Sequence, residues 1–175
     1  IEFSRNICGL NEANSDIMGT MVEFYANNPN DPADYKVGEE IYVNGTSALR
    51  YMYDPNLDGN LSYDCYPAGG LGGVDPHYSS GPANHFFYLL AEGTTSLTKT
   101  CAPGDTKNAT GNGSLAGIGR DKAAAIWYRA IGDYMTSSTT YPGARTATLN
   151  AAAALYGSGS AEYNAVAAAW SAIHV

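Results

Sequence analysis

Residues 11–27 read Asn11-Glu12-Ala13-Asn14-Ser15-Asp16-Ile17-Met18-Gly19-Thr20-Met21-Val22-Glu23-Phe24-Tyr25-Ala26-Asn27. This stretch decides the fold class. Ile17, Met21, Phe24 and Tyr25 recur close to the helical period, so a helix with one apolar stripe is expected. Pro29 and Pro32 stop it. Glu12 and Asp16 are four apart and share a face of that helix. Two acids in first helical turns are favoured by the helix dipole and can be plain solvated capping groups. The alternative is a metal ligand at Glu12, with Asp16 orienting another ligand.

Outward from this helix, residues 28–78 are rich in Asp, Asn, Gly and Pro, and only Glu40–Val43 reads as a short strand or extended piece. Ser80-Gly81-Pro82 opens an apolar helix over 83–91, with Pro82 suited to a first turn and Gly93 closing it. Residues 93–117 are again loop. Asp121–Met135 is amphipathic, carrying Ile126, Trp127, Ala130, Ile131 and Tyr134 on one side. An Ala-rich helix spans Pro142–Tyr156 and ends at Gly157. Ser160-Ala161-Glu162 starts the last helix, with Val166, Ala169, Trp170 and Ile173. The sum is a mainly α domain of about five helices with long loops. Loops as long as 28–78 and 93–117 are usually functional or held by ligands.

The composition agrees. The chain has 175 residues and a formal net charge of −8, with 45% hydrophobic and 15% charged residues. That is enough apolar material for one compact folded domain. Scattered, outnumbered cations exclude a basic nucleic-acid footprint, and no apolar run approaches the roughly 20 residues of a membrane span. The start, Ile1-Glu2-Phe3-Ser4-Arg5, has neither the basic region nor the apolar core of a signal peptide; it also lacks an initiator Met, so a processed or excised piece, or first residues of cloning origin, is expected. Three cysteines exclude a four-Cys zinc site within the chain and point to one disulfide plus an odd thiol. Cys65 and Cys101, both in irregular loops, are the favoured pair, leaving Cys8. Few Lys and many Tyr, Gly, Ser, Thr and Asn lean towards a secreted protein.

Three further groups carry possible chemistry. In Asp75-Pro76-His77 the carboxylate can accept the ring N–H and fix the tautomer, so a charged imidazole would stabilise an oxyanion; the alternative is an exposed loop histidine. His85 and His174 lack such a neighbour, and His85 is expected to be partly exposed. Arg50, inside an apolar stretch, needs a carboxylate or carbonyl partner. That partner is either a structural ion pair or a substrate carbonyl. Glu23, Asp31, Asp34, Glu39 and Glu40, interrupted by Lys36, offer oxygen ligands that suit calcium, but on spacing alone a solvated acidic surface is the better reading. H-E-x-x-H, G-x-S-x-G, Walker A and Rossmann patterns are all absent from these 175 residues.

The sequence resembles the C-terminal helical domain of thermolysin-like zinc metallopeptidases, the M4 family, in the detail of actinobacterial members. The resemblance rests on Gly9–Asn27, Leu49-Arg50-Tyr51-Met52 and Asp75-Pro76-His77-Tyr78-Ser79-Ser80-Gly81. Towards the end it rests on Gly117-Ile118-Gly119-Arg120-Asp121-Lys122, Ile126-Trp127-Tyr128-Arg129-Ala130 and Leu155-Tyr156-Gly157. It covers residues 9–175, leaving 1–8 as an unmatched segment or cloning remnant. It implies that Glu12 is the third zinc ligand and that Asp16 hydrogen-bonds a zinc-bound histidine. It implies that Arg50 holds a substrate carbonyl, and that His77, with Asp75, stabilises the tetrahedral intermediate. Val37, Ile41 and Leu49 would line a hydrophobic primed pocket, and Glu23, Asp34 and Glu39 would bind calcium. Lys36, standing where some members have an acid, implies at most one calcium.

The family's H-E-x-x-H helix supplies two zinc ligands and the general base, and it is not in this sequence. One carboxylate holds zinc weakly, and general-base help is worth about 10²–10⁴ in rate. The chain is therefore expected to be the C-terminal lobe of a secreted, extracellular zinc metalloendopeptidase, inactive alone and without stably bound catalytic zinc. Its expected partners are the missing N-terminal lobe and a protein or peptide substrate, a propeptide or a proteinaceous inhibitor, with no nucleic acid and no membrane. The alternative is a non-catalytic module that binds peptide, propeptide or inhibitor on the cleft face.

Overall fold

A computed structural model describes residues 5–43 and 46–175, with side chains from Gly9 onward. Residues 1–4, the side chains of residues 5–8 and with them the Cys8 thiol lie outside that description. The elements run α1 (Arg5–Ala26), β1 (Lys36–Val37), β2 (Arg50–Tyr51), α2 (Pro76–Ser79), α3 (Gly81–Glu92), α4 (Arg120–Asp133), α5 (Tyr141–Tyr156) and α6 (Ala161–Ser171). Five long helices and a two-strand ribbon make the mainly α domain that the sequence implies. Among the described residues no helix is long and apolar enough to cross a membrane.

The centre is α3. Every residue from Gly81 to Ala91 is buried, as a helix apolar on all sides must be. It packs against α1, α4 and α6. Phe86 stacks on Trp170 with ring centroids 3.8 Å apart and lies 6.2 Å from Trp127. Ile126, Trp127 and Ala130 of α4 are buried as the periodicity predicts, but Tyr134 lies past the helix end and is 39% exposed. On α5 and α6 the buried positions are largely Ala, which lets the axes approach; Trp170 Nε1 then donates to Thr148 Oγ1 at 2.8 Å. Each fully buried large side chain contributes about 1.5–3 kcal/mol, so this aromatic centre fixes how α3 stands.

On α1 the buried stripe is Leu10, Ala13, Asp16, Ile17 and Thr20. Met21 and Phe24 pack at its margin, whereas Tyr25 is 92% exposed. The helix begins at Arg5, before the position that the sequence suggests, so Glu12 and Asp16 lie about two turns or more inside it. That corrects the capping alternative, because the helix dipole acts only within the terminal turn.

The ribbon is antiparallel, with Lys36 opposite Tyr51 and Val37 opposite Arg50. The extended piece expected at Glu40–Val43 is instead a 3₁₀ turn over Glu39–Ile41. Gly38, at φ 72°, turns the chain there; a Cβ at this position would meet Leu49 Cδ1 at 2.8 Å. The long loops are held from inside. Cys65 and Cys101 form the favoured disulfide. The fully buried Asp64 accepts from Asn56 N and Ala109 N, both at 2.8 Å.

His85 departs from its expected partial exposure. It is fully buried, with Nδ1 3.0 Å from the Asp64 carbonyl oxygen. Burial holds its pKa below the ordinary histidine value, so it is a neutral core residue.

Candidate functional site

Three segments meet on one face: α1, the ribbon and α2. Gly9 makes the approach possible. A Cβ on it would lie 2.5 Å from Ser79 Oγ and 2.8 Å from Ser79 O, so only glycine allows α2 this close without a shift. Asp75 caps α2, accepting from the His77 backbone N at 2.9 Å, and His77 Nδ1 lies 2.8 Å from the same carboxylate oxygen. The carboxylate accepts, so Nδ1 carries the proton. The other ring nitrogen, Nε2, then points towards Glu12, 3.7 Å from Oε2.

Arg50 finds its partner in Asp16. Nε donates to Oδ2 at 2.8 Å and Nη2 to Oδ1 at 2.7 Å. Asp16 is 5% exposed, and Asn84 Nδ2 also donates to its Oδ2 at 2.8 Å. The hydrogen bond to Asp16 raises the Arg50 pKa; burial opposes this, and the charges of Asp16 and Glu12 reinforce it. Such a bidentate, charge-assisted pair is rigid. The Arg50 Nη1 nitrogen is not part of it.

Arg50, Asp75, His77 and Leu49 line one cleft of about 560 Å³, together with Tyr42, Leu57 and Leu61. Leu57 and Leu61 are half exposed, and the sequence reading did not single them out. The only signal for them was the length of the loop that carries them. Asp16 and Val37 line a second hollow of about 380 Å³. The Leu49 N donates to the Val37 carbonyl oxygen at 2.9 Å, so those two positions are adjacent. Ile41 is 66% exposed and lies outside both linings.

The acidic groups separate into two arrangements. Glu23, Asp31 and Glu39 each offer an oxygen within 4.8 Å of the others. Burial and the charges of Glu39, Asp31, Asp34 and Glu40 push the Glu23 carboxyl up to about 7. Burial, with Asp34 and Asp31, also raises Glu39. The Asp34 carboxylate itself is held by Lys36, accepting from its backbone N at 2.6 Å and from Nζ at 2.7 Å. Asp31, rather than Asp34, thus completes the oxygen triad in this geometry. Mutual repulsion among three carboxylates is what a hard divalent cation relieves.

The whole chain, residues 1–175, matches the model for the alpha-helical domain of thermolysin metallopeptidases. The chain belongs to that family. Among curated proteins, it is 51% identical over 176 residues to the transglutaminase-activating metalloprotease of Streptomyces mobaraensis, covering 100% of this chain and 23% of that protein. It is 43% identical over 170 residues to bacillolysin of Bacillus cereus, covering 95% and 27%. It is 41% identical over 172 residues to thermolysin of Alicyclobacillus acidocaldarius, covering 95% and 28%. The helical domain therefore spans about a quarter of the length of these relatives.

Proposed function

We propose that this domain is the helical wall of the active-site cleft of a secreted zinc metalloendopeptidase, and that alone it does not cleave peptides. The convergence of Glu12, the Asp16–Arg50 pair and the Asp75–His77 pair on one face is the observation that supports it. Glu12 fits one zinc position, as a carboxylate at the cleft face beside His77. A catalytic zinc takes three protein ligands and a water. The only three-acid group among the described residues is all oxygen and suits calcium. On this reading the other zinc ligands come from outside the described residues. Zinc, when bound, activates water and polarises the scissile carbonyl.

The chain's own residues do the rest. His77, held by Asp75 through Nδ1–H, donates from Nε2 to the tetrahedral oxygen in its imidazolium form, with a proton on both ring nitrogens. Arg50, anchored on Asp16, offers Nη1 to the carbonyl after the scissile bond. Val37 and Leu49 supply apolar walls on the primed side; Ile41, expected beside them, lies outside both linings. Glu23, Glu39 and Asp31 hold one calcium, and Asp34, expected among them, is taken up by Lys36. Secretion accords with the Cys65–Cys101 disulfide.

The test is casein hydrolysis by the isolated domain, by the full-length protein, and by the domain mixed with the segment bearing H-E-x-x-H. The expected result is chelator-sensitive activity in the full-length protein and none in the domain alone. Zinc-dependent turnover by the domain alone, or none by the full-length protein, overturns the reading.

A further inference from the structure

Asn84 approaches Asp16 from within the core. It lies on α3, is 1% exposed, and donates through Nδ2 to Asp16 Oδ2 at 2.8 Å. A carboxylate only accepts, so this bond fixes the amide with its oxygen turned away. That oxygen, Oδ1, is buried without a hydrogen-bond partner among the described residues. An orphaned acceptor in the interior costs stability. A leucine would fill the same space without that cost, so packing does not account for Asn84.

The hydrogen-bond count at Asp16 does. A carboxylate has about four acceptor sites. Arg50 Nε and Asn84 Nδ2 occupy two on Oδ2, and Arg50 Nη2 occupies one on Oδ1. The fourth is on Oδ1, and Asp16 lines the hollow beside the cleft. We propose that Asn84 is a positioning residue: it saturates Oδ2, so that the one acceptor site left on Asp16 has a single direction and can orient a metal-bound imidazole arriving across the cleft. This rests on the peptidase reading above. Without Asn84, Oδ2 regains a free site and the carboxylate no longer presents one preferred lone pair. Groups that orient metal ligands change metal affinity or activity by about 10–100-fold when removed.

The experiment uses the full-length enzyme with Asn84→Leu, and with Asn84→Ser in case the leucine variant does not fold. Steady-state kinetics are read beside zinc loss to a chromogenic chelator and the thermal midpoint. The expected result is a kcat about tenfold lower, KM within about twofold, zinc lost several-fold faster, and a leucine variant with an unchanged or higher midpoint. A change in midpoint alone, with kcat and zinc retention within twofold of wild type, overturns the positioning role. A wild-type enzyme without zinc-dependent hydrolysis overturns this proposal together with the reading beneath it.

Discussion

Replacing Arg50 by Met tests the centre of the site through stability. The change removes both hydrogen bonds from Arg50 to Asp16 and leaves the carboxylate 5% exposed with the Asn84 amide as its remaining donor among the bonds described here. A surface bridge lost this way costs about 0–1 kcal/mol. A buried pair broken on one side costs about 3–5 kcal/mol, because the surviving charge keeps its desolvation penalty. The burial of Asp16 places this pair in the second class, so Arg50→Met should lower the thermal midpoint by about 6–20 °C for a domain of this size. Asp16→Asn should cost less. The Arg50 side chain is 18% exposed, so its guanidinium keeps access to water and the loss is about 1–2 kcal/mol. The double variant, with neither charge, should be close to Asp16→Asn, giving a coupling as large as the Arg50→Met loss itself, about 3–5 kcal/mol. Urea unfolding of all four proteins at pH 7, with equal m-values, measures it. An Arg50→Met loss below about 1 kcal/mol, or additive single changes, would refute the argument that this is a desolvated pair.

Three further outcomes follow from the same geometry. Glu23 has a folded pKa of about 7 against an ordinary 4.5, so without metal its contribution to stability is complete below 4.5 and is lost as pH rises through 7. Midpoints measured across that window should fall with pH; Glu23→Gln should flatten the trend, and millimolar calcium should offset it by a few degrees, whereas midpoints that ignore millimolar calcium would argue against a cation at this triad. Removing the disulfide with Cys65→Ala and Cys101→Ala opens a cross-link separated by 36 residues, costing about 4 kcal/mol, and unfolding curves that ignore a reductant would argue against it. Gly9→Ala forces a Cβ to within 2.5 Å of Ser79 Oγ, so α2 must shift at a cost of about 1–3 kcal/mol, and casein turnover by the full-length protein should fall with it; unchanged activity would show that the Glu12–His77 spacing does not depend on this contact.

The helices were legible because their apolar residues recur at the helical period and are closed by Gly and Pro. Val166, Ala169, Trp170 and Ile173 are all buried, as that pattern implies. The disulfide was legible because one pair of cysteines sat in irregular backbone. Long-range effects were not legible. The Glu39–Ile41 turn follows Gly38 in left-handed backbone, where a Cβ would strike Leu49 across the ribbon, and that proximity has no sequence signal. Burial of His85 depends on its neighbours' packing and on the Asp64 carbonyl. Asp31 and Asp34 look alike in sequence, and only the local pairing of Lys36 with Asp34 separates them. At the site, Asp75–His77 was readable from spacing. The contact from Asn84 to Asp16, 68 residues apart, carries no periodic signal.

Because α3 has no exposed face along Gly81–Ala91, it cannot tilt or slide without tearing aromatic contacts on every side. Asn84 sits on it, and His77 precedes it by one short helical turn. Any displacement of α3 must therefore carry the elements packed on it along with it. Amide exchange along α3 should accordingly be the slowest in the chain, reporting only global unfolding.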